Sequence, residues 1–231
     1  MKEFKHGGIL IILSIPILII SAMFVIREIE NTQTIYYYDF EDDKTGSYPK
    51  GFIGVLRDTD YTRVVYFDEI HKNVVEINYF EEPSYNPVIG GGLEFNTIFR
   101  LTKRGIIEFD IYIIYNKRIN IDICQTDGEY DIIDDIVIRM PFSSTQHHIA
   151  IMNEEGVYEE IKSFSISRWY KFKIEFDVDI GWALWIDGAL QSSRIGFYQD
   201  PPYMCQLYFA TYELGQVFYV DNIMINILEE Y

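Results

Sequence analysis

At 231 residues with 48% apolar side chains, the chain can bury a sizeable core, which excludes disorder as its default state. Its net charge of −17 repels phosphate backbones and anionic headgroups, which argues against a nucleic-acid partner and favours cations such as calcium. The 19 Tyr and 16 Phe, together with abundant Ile and Val, favour strands, because ring-bearing and branched side chains fit a pleated, half-buried surface.

From the N-terminus, residues 7–26 read GGILIILSIPILIISAMFVI and carry no charge. At 1.5 Å per helical residue they cover about 30 Å, the thickness of a bilayer core. The sequence predicts a membrane helix here, with Pro16 tolerated as a kink. Lys2 and Lys5 precede the run and Arg27, Glu28 and Glu30 follow it, so the positive-inside tendency places the N-terminus in the cytoplasm. Secretion after signal-peptide cleavage is the alternative. Ala22 is small, as a cleavage site requires, but Ile20 stands two positions before it and the apolar run continues to Ile26. The expected organisation is a cytoplasmic segment 1–6, a signal anchor 7–26, a polar stalk 27–34 and one extracytoplasmic domain 35–231. Charges within 1–30 balance, so the whole net charge belongs to that domain.

From Ile35 onward apolar residues alternate with polar ones between turn signals, and no long stretch shows helical periodicity. Strands are predicted over 35–41, 63–68, 74–80, 93–99, 106–115, 118–125, 132–140, 169–178, 182–186, 206–212 and 217–227. The punctuation is EEPSYNP, GGG, Asp127-Gly128, Asp187-Gly188 and QDPP. Cys124 and Cys205 sit in apolar strand-like runs, where packing as small hydrophobes is slightly preferred to a disulfide. The triplet Gly90–Gly92 lacks the Lys-Ser/Thr of a phosphate cradle and reads as a turn or bulge. DGEYDIIDD has its glycine at the second position instead of the sixth, with Ile138 where an EF-hand needs Glu, and reads as a hairpin turn. His147 and His148 are adjacent, so on a strand they face opposite ways and do not share a metal.

The stretch WYKFKIEFDVDIGWALWIDG sharpens the fold. Phe172, Ile174, Phe176 and Val178 face one way and Lys171, Lys173, Glu175, Asp177 and Asp179 the other, so one face is core and the other wet. A reversal at Gly181-Trp182 and an Asp-Gly turn after ALWI make a hairpin. This Trp-led hairpin resembles one found in concanavalin A-like jelly rolls, which include laminin-G-like modules and laminarinase-type glycoside hydrolases. YYYDFEDDKTGSYPKGF is similar to the first strand and loop of such modules, and VFYVDNIMIN to their closing strand. The resemblance spans about residues 36 to 227. It implies an all-β, two-sheet antiparallel jelly-roll sandwich, with a galactose-binding-like jelly roll as the alternative fold.

In the laminarinase-type hydrolases a catalytic string E-x-D-x-E, or E-x-D-x-x-E, lies well before the D-G hairpin. Alternate strand positions then align nucleophile, helper carboxylate and proton donor on one face. Glu175, Asp177 and Asp179 resemble the string in spacing but occupy the hairpin. In IIEFDIYI, Glu108 and Asp110 match the first two members, while Tyr112 and Ile113 fill the two places open to the third. A retaining hydrolase needs two carboxyl groups about 5–5.5 Å apart with one of them protonated, and a neutral tyrosine is a poor substitute. If the family is right, the site is non-catalytic.

The resemblance thus implies a lectin-like domain that binds a glycan or another surface ligand. The alternatives are a glycoside hydrolase with unaligned carboxylates and an adhesive surface protein whose partner is a protein. Aromatic rings offer flat apolar faces to sugar C–H groups while carboxylates orient hydroxyls. Glu108, Asp110, Tyr112, Tyr115 and Trp185 are therefore the candidate ligand contacts. Solvent-facing strand polarity for the first three, and packing for Trp185, are the bland alternatives. Asp39, Glu41 and Asp221 are a candidate structural calcium set, because terminal strands of jelly rolls often lie side by side.

Overall fold

The computed structural model describes residues 34–53, 61–79, 93–126, 132–140, 147–211 and 213–231. The expected anchor 7–26, nearly all of the stalk, Gly90–Gly92 and the turn at 127–131 lie outside the described residues. Among those described, no helix is long and apolar enough to cross a membrane.

The described residues form thirteen strands. They are β1 (Thr34–Tyr38), β2 (Thr62–Tyr66), β3 (Asn73–Tyr79), β4 (Leu93–Ile113), β5 (Ile119–Thr126), β6 (Ile132–Met140) and β7 (His148–Met152). They continue with β8 (Tyr158–Ser163), β9 (Trp169–Asp177), β10 (Gly181–Ile186), β11 (Ala189–Ile195), β12 (Met204–Thr211) and β13 (Gln216–Glu230).

The strand β4 carries the chain from one layer to the other. Its first half pairs with β12, in a layer ordered β4-β12-β5-β6-β7-β8. Its second half lies between β9 and β13, in a layer ordered β11-β10-β9-β4-β13-β3-β2, and β1 also pairs with β13. Phe209 is the register partner of Phe95, yet its ring meets Phe109 edge to face with centroids 5.1 Å apart. Along a straight strand Phe95 and Phe109 would stand about 46 Å apart at 3.3 Å per residue. The strand therefore folds over, and its two halves face each other across a shared core.

Alternation decides what fills that core. Along β9, Tyr170, Phe172, Ile174 and Phe176 are buried while Lys171, Lys173, Glu175 and Asp177 turn outward, as the sequence predicts. Phe109 stacks on Phe172 at 5.2 Å and Phe95 on Phe52 at 4.3 Å, so rings from both halves of β4 anchor the interior. Cys124 and Cys205 are both buried thiols, in keeping with packing as small hydrophobes.

The β9–β10 hairpin is present, with its reversal at 178–180 instead of Gly181-Trp182; Gly181 already pairs with Asp177. Asp187 (φ 54) and Gly188 (φ 75) form the tight turn into β11, both in the left-handed region that a two-residue hairpin requires. Three strands, β7, β8 and β11, were not expected. β8 and β11 end their layers and carry mostly exposed or half-exposed polar residues, so no clear alternation marks them.

Candidate functional site

The outer face of the β9–β4–β13 layer gathers the chemistry. Residues paired across antiparallel strands set their side chains beside one another, so register reads this face as successive rows. The first row is Trp169, Tyr112, Tyr219, Glu76 and Arg63 on five neighbouring strands. The second is Lys171, Asp110 and Asp221, and the third Trp185, Lys173, Glu108 and Met224. The fourth is Ala183, Glu175, Ile106 and Asn226. Beyond it Arg104, Asp177 and Gly181 help to bound a cavity of about 440 Å³ that Ile106 and Glu175 also line.

The first row is a floor of three aromatic rings backed by charge. The Tyr219 hydroxyl donates to Glu76 Oε2 at 3.2 Å, and Arg63 Nη2 pairs with Glu76 Oε1 at 2.9 Å. Burial, reinforced by the Glu76 carboxylate, pushes the Tyr219 hydroxyl up to about 12. The tip of the β2–β3 hairpin lies over this floor. Phe67 meets Tyr112, Trp169 and Tyr219 edge-on with centroids 5.0–5.2 Å apart, and His71 lies flat on Trp169 at 3.9 Å.

The second row is a network of carboxylates. Asp221 is 2% exposed, and its Oδ2 lies 2.8 Å from His71 Nδ1. Asn222 follows Asp221 at φ 50, in an irregularity of the β13–β4 ladder. Its side-chain Nδ2 donates to Asp110 Oδ2 at 2.9 Å and to Asp221 Oδ2 at 3.0 Å, and its Oδ1 accepts from the Tyr37 hydroxyl. Burial raises both carboxyls, Asp221 to about 6, against the opposing pull of their hydrogen bonds. In the third row Lys171 reaches over to pair with Glu108 Oε2 at 2.9 Å, and Lys173 stands 5.0 Å from the Trp185 ring centre.

Among the predicted contacts, Glu108, Asp110, Tyr112 and Trp185 therefore share one face across two strands, whereas Tyr115 lies past the end of β4 and outside the rows. Of the calcium set, Asp39 Oδ1 accepts from the Glu41 amide, while burial raises the Tyr37 hydroxyl and the charges of Asp39 and Asp221 add to that rise. Among the described residues no three His, Cys, Asp or Glu side chains are grouped so as to hold a metal ion. Sequence reasoning missed His71, Trp169, Tyr219 and Asn222 as site residues. The side-by-side placement of β1 and β13 pointed to Asp221, but nothing in the sequence links it to a histidine 150 positions earlier.

The raised Asp221 carboxyl has a pH signature. A carboxyl that holds its proton more tightly folded than unfolded contributes stability fully below its ordinary value near 3.8, and that contribution is lost as pH rises through about 6. Asp221→Asn is expected to flatten this part of the stability–pH curve by on the order of 1–3 kcal/mol, read from urea midpoints at pH 4 and pH 7. An unchanged slope would contradict the burial account.

No family model matches the sequence, and no curated protein matches it. Solved structures do resemble it. An uncharacterized protein from Mycobacterium paratuberculosis superposes with a TM-score of 0.56 at 14% identity, over 82% of this chain and 99% of that one. A glycosyl hydrolase family protein from Mycobacterium fortuitum gives 0.53 at 13%, over 82% and 98%. A Crh5 transglycosylase gives 0.53 at 13%, over 85% of each chain. At these identities the likeness is one of fold: an all-β antiparallel sandwich consistent with the concanavalin A-like jelly-roll type.

Proposed function

We propose that residues 35–231 bind a glycan along the outer face of the β9–β4–β13 layer without cleaving it. The observation that carries this reading is the row structure itself. A half-buried Trp185 stands on the same face as Glu108, Asp110 and the cavity beyond Ile106, so an aromatic platform and hydroxyl-orienting carboxylates lie along one track. The cavity volume falls within the range of small-ligand sites. Two of the solved structures with this fold are by name a glycosyl hydrolase family protein and a transglycosylase, which is why a carbohydrate is the ligand proposed.

Cleavage is disfavoured because the third position of the β4 string is Tyr112, whose ring is packed against Phe67. What favours hydrolysis is that burial raises the Asp110 carboxyl, two residues from Glu108, since a proton donor must hold its proton more tightly than an ordinary carboxyl does. Affinity electrophoresis against a panel of polysaccharides separates the readings. Wild type is expected to be retarded and to release no reducing ends, and Glu108→Gln to bind about tenfold more weakly. Reducing-end release that disappears in both Glu108→Gln and Asp110→Asn would establish the hydrolase reading. Failure to retard on any polysaccharide would remove the glycan reading altogether.

The same proposal sets this domain outside the membrane, held by residues 7–26, on the strength of the sequence alone. A mature N-terminus near residue 23, found by mass spectrometry, would replace the tether with secretion.

A further inference from the structure

The aromatic floor and the carboxylate network meet at one point, and the chain covers that point with a ring of its own. His71 lies over Trp169 with centroids 3.9 Å apart and planes 14° from parallel, as a flat sugar face would stack on an indole. Its Nδ1 hydrogen-bonds Asp221 Oδ2 at 2.8 Å, where a sugar hydroxyl would donate. Beside it Asn222 bridges Asp110 and Asp221, an amide and two carboxylates suited to adjacent hydroxyls. We infer that Trp169, Asp110, Asp221 and Asn222 form a pyranose subsite that His71 occupies as a stand-in ligand, so that a sugar ring enters only when the β2–β3 hairpin tip leaves. The inference rests on the glycan reading above and adds to it a second position and a gate.

The tip is built to move as a piece. Asp68 Oδ1 accepts from the amides of both Ile70 and His71 at 2.8 Å, and within the tip itself Phe67 N donates to Lys72 O and Lys72 N to Asp68 O. These bonds travel with it. What fastens it to the floor is the His71–Asp221 bond and the ring contacts of Phe67 and His71. At its apex Ile70 is 85% exposed, so little holds the tip from above. Displacement gives up the His71 stack, its one ring hydrogen bond and the Phe67 ring contacts in exchange for a sugar stack with several hydroxyl bonds, while the β2–β3 ladder stays intact.

Removing the stand-in should raise affinity by the reciprocal of the open fraction, about tenfold if the tip stands open about one part in ten. The full chain and His71→Ala are titrated with the methyl glycosides of glucose, galactose and mannose, with tryptophan fluorescence as readout. The ring resonances of His71 are followed by NMR in wild type. Tighter binding by His71→Ala, and movement of the wild-type His71 signals to solvent-exposed values along the binding curve, are the expected results. Polysaccharide binding that persists while His71→Ala gains nothing and the His71 signals stay fixed overturns the gate and leaves the glycan reading standing. Absence of any polysaccharide or glycoside binding by either protein overturns both. If His71→Ala fails to fold, the wild-type resonances decide alone.

Discussion

Phe109→Ala is expected to lower the stability of the β-sandwich by about 4 kcal/mol, a fall of about 10 °C in melting temperature for a domain of this size. The ring is fully buried, stacked on Phe172 within its own layer and edge-to-face with Phe209 of the facing one. Truncation removes the transfer energy of a phenyl ring and leaves a hole between two layers whose backbones are fixed by ladders on both sides, so little collapse can fill it. The comparison that isolates the interlayer role is Phe172→Ala, which loses the stack with Phe109. A loss below about 2 kcal/mol for Phe109→Ala would show that the layers close over the gap, and that this contact does not fix their spacing.

Gly181→Ala is expected to cost about 3 kcal/mol or more, far beyond the effect of adding one methyl group at a surface turn. Gly181 opens β10 at φ +119, a conformation L-residues rarely adopt, and a Cβ there would come within 2.4 Å of the Ile195 carbonyl oxygen. That oxygen belongs to the backbone of β11, and Ile195 is the register partner of Trp182, so relief would require pulling the β10–β11 ladder apart. Gly188 supplies the control. It too has a positive φ, but no atom lies within 4 Å of where its Cβ would stand, so Gly188→Ala should cost only about 1–2 kcal/mol. Equal losses at the two positions, measured by chemical denaturation, would mean that conformation and not the contact with β11 governs both.

Where one face of a strand is packed and the other wet, the sequence announces it. The Lys171–Asp177 alternation was legible for that reason, the Asp187-Gly188 turn from its own tolerance of positive φ, and the meeting of first and last strands only from the jelly-roll resemblance. The continuity of β4 was not. The run Arg100–Arg104 carries three basic residues and reads as a loop, because this is where the strand passes between layers and becomes exposed on its way. The short strands β8 and β11 escaped notice because their ladders, more than their side chains, hold them in place, whereas β7 buries Ile149, Ala150 and Ile151 in succession and so shows no two-residue alternation. The site divides the same way. Glu108, Asp110 and Tyr112 were visible as alternate residues on one strand. Trp169 was visible only as a hairpin landmark, and His71 reaches the site from a turn whose local sequence serves to cap itself through Asp68. Function assembled by long-range register leaves no local mark.

Among the described residues, β1 finds its only ladder partner in β13, the last of the thirteen strands described. During synthesis the opening strand therefore emerges from the ribosome roughly 180 residues before the edge it needs. Its Tyr36 and Tyr38, which pack against the core in the finished fold, remain available to chaperones, or to another nascent copy, for that whole interval. Completion of the sandwich thus waits on β13, and a chain broken anywhere between β1 and β13 would be left with an unsatisfied first strand.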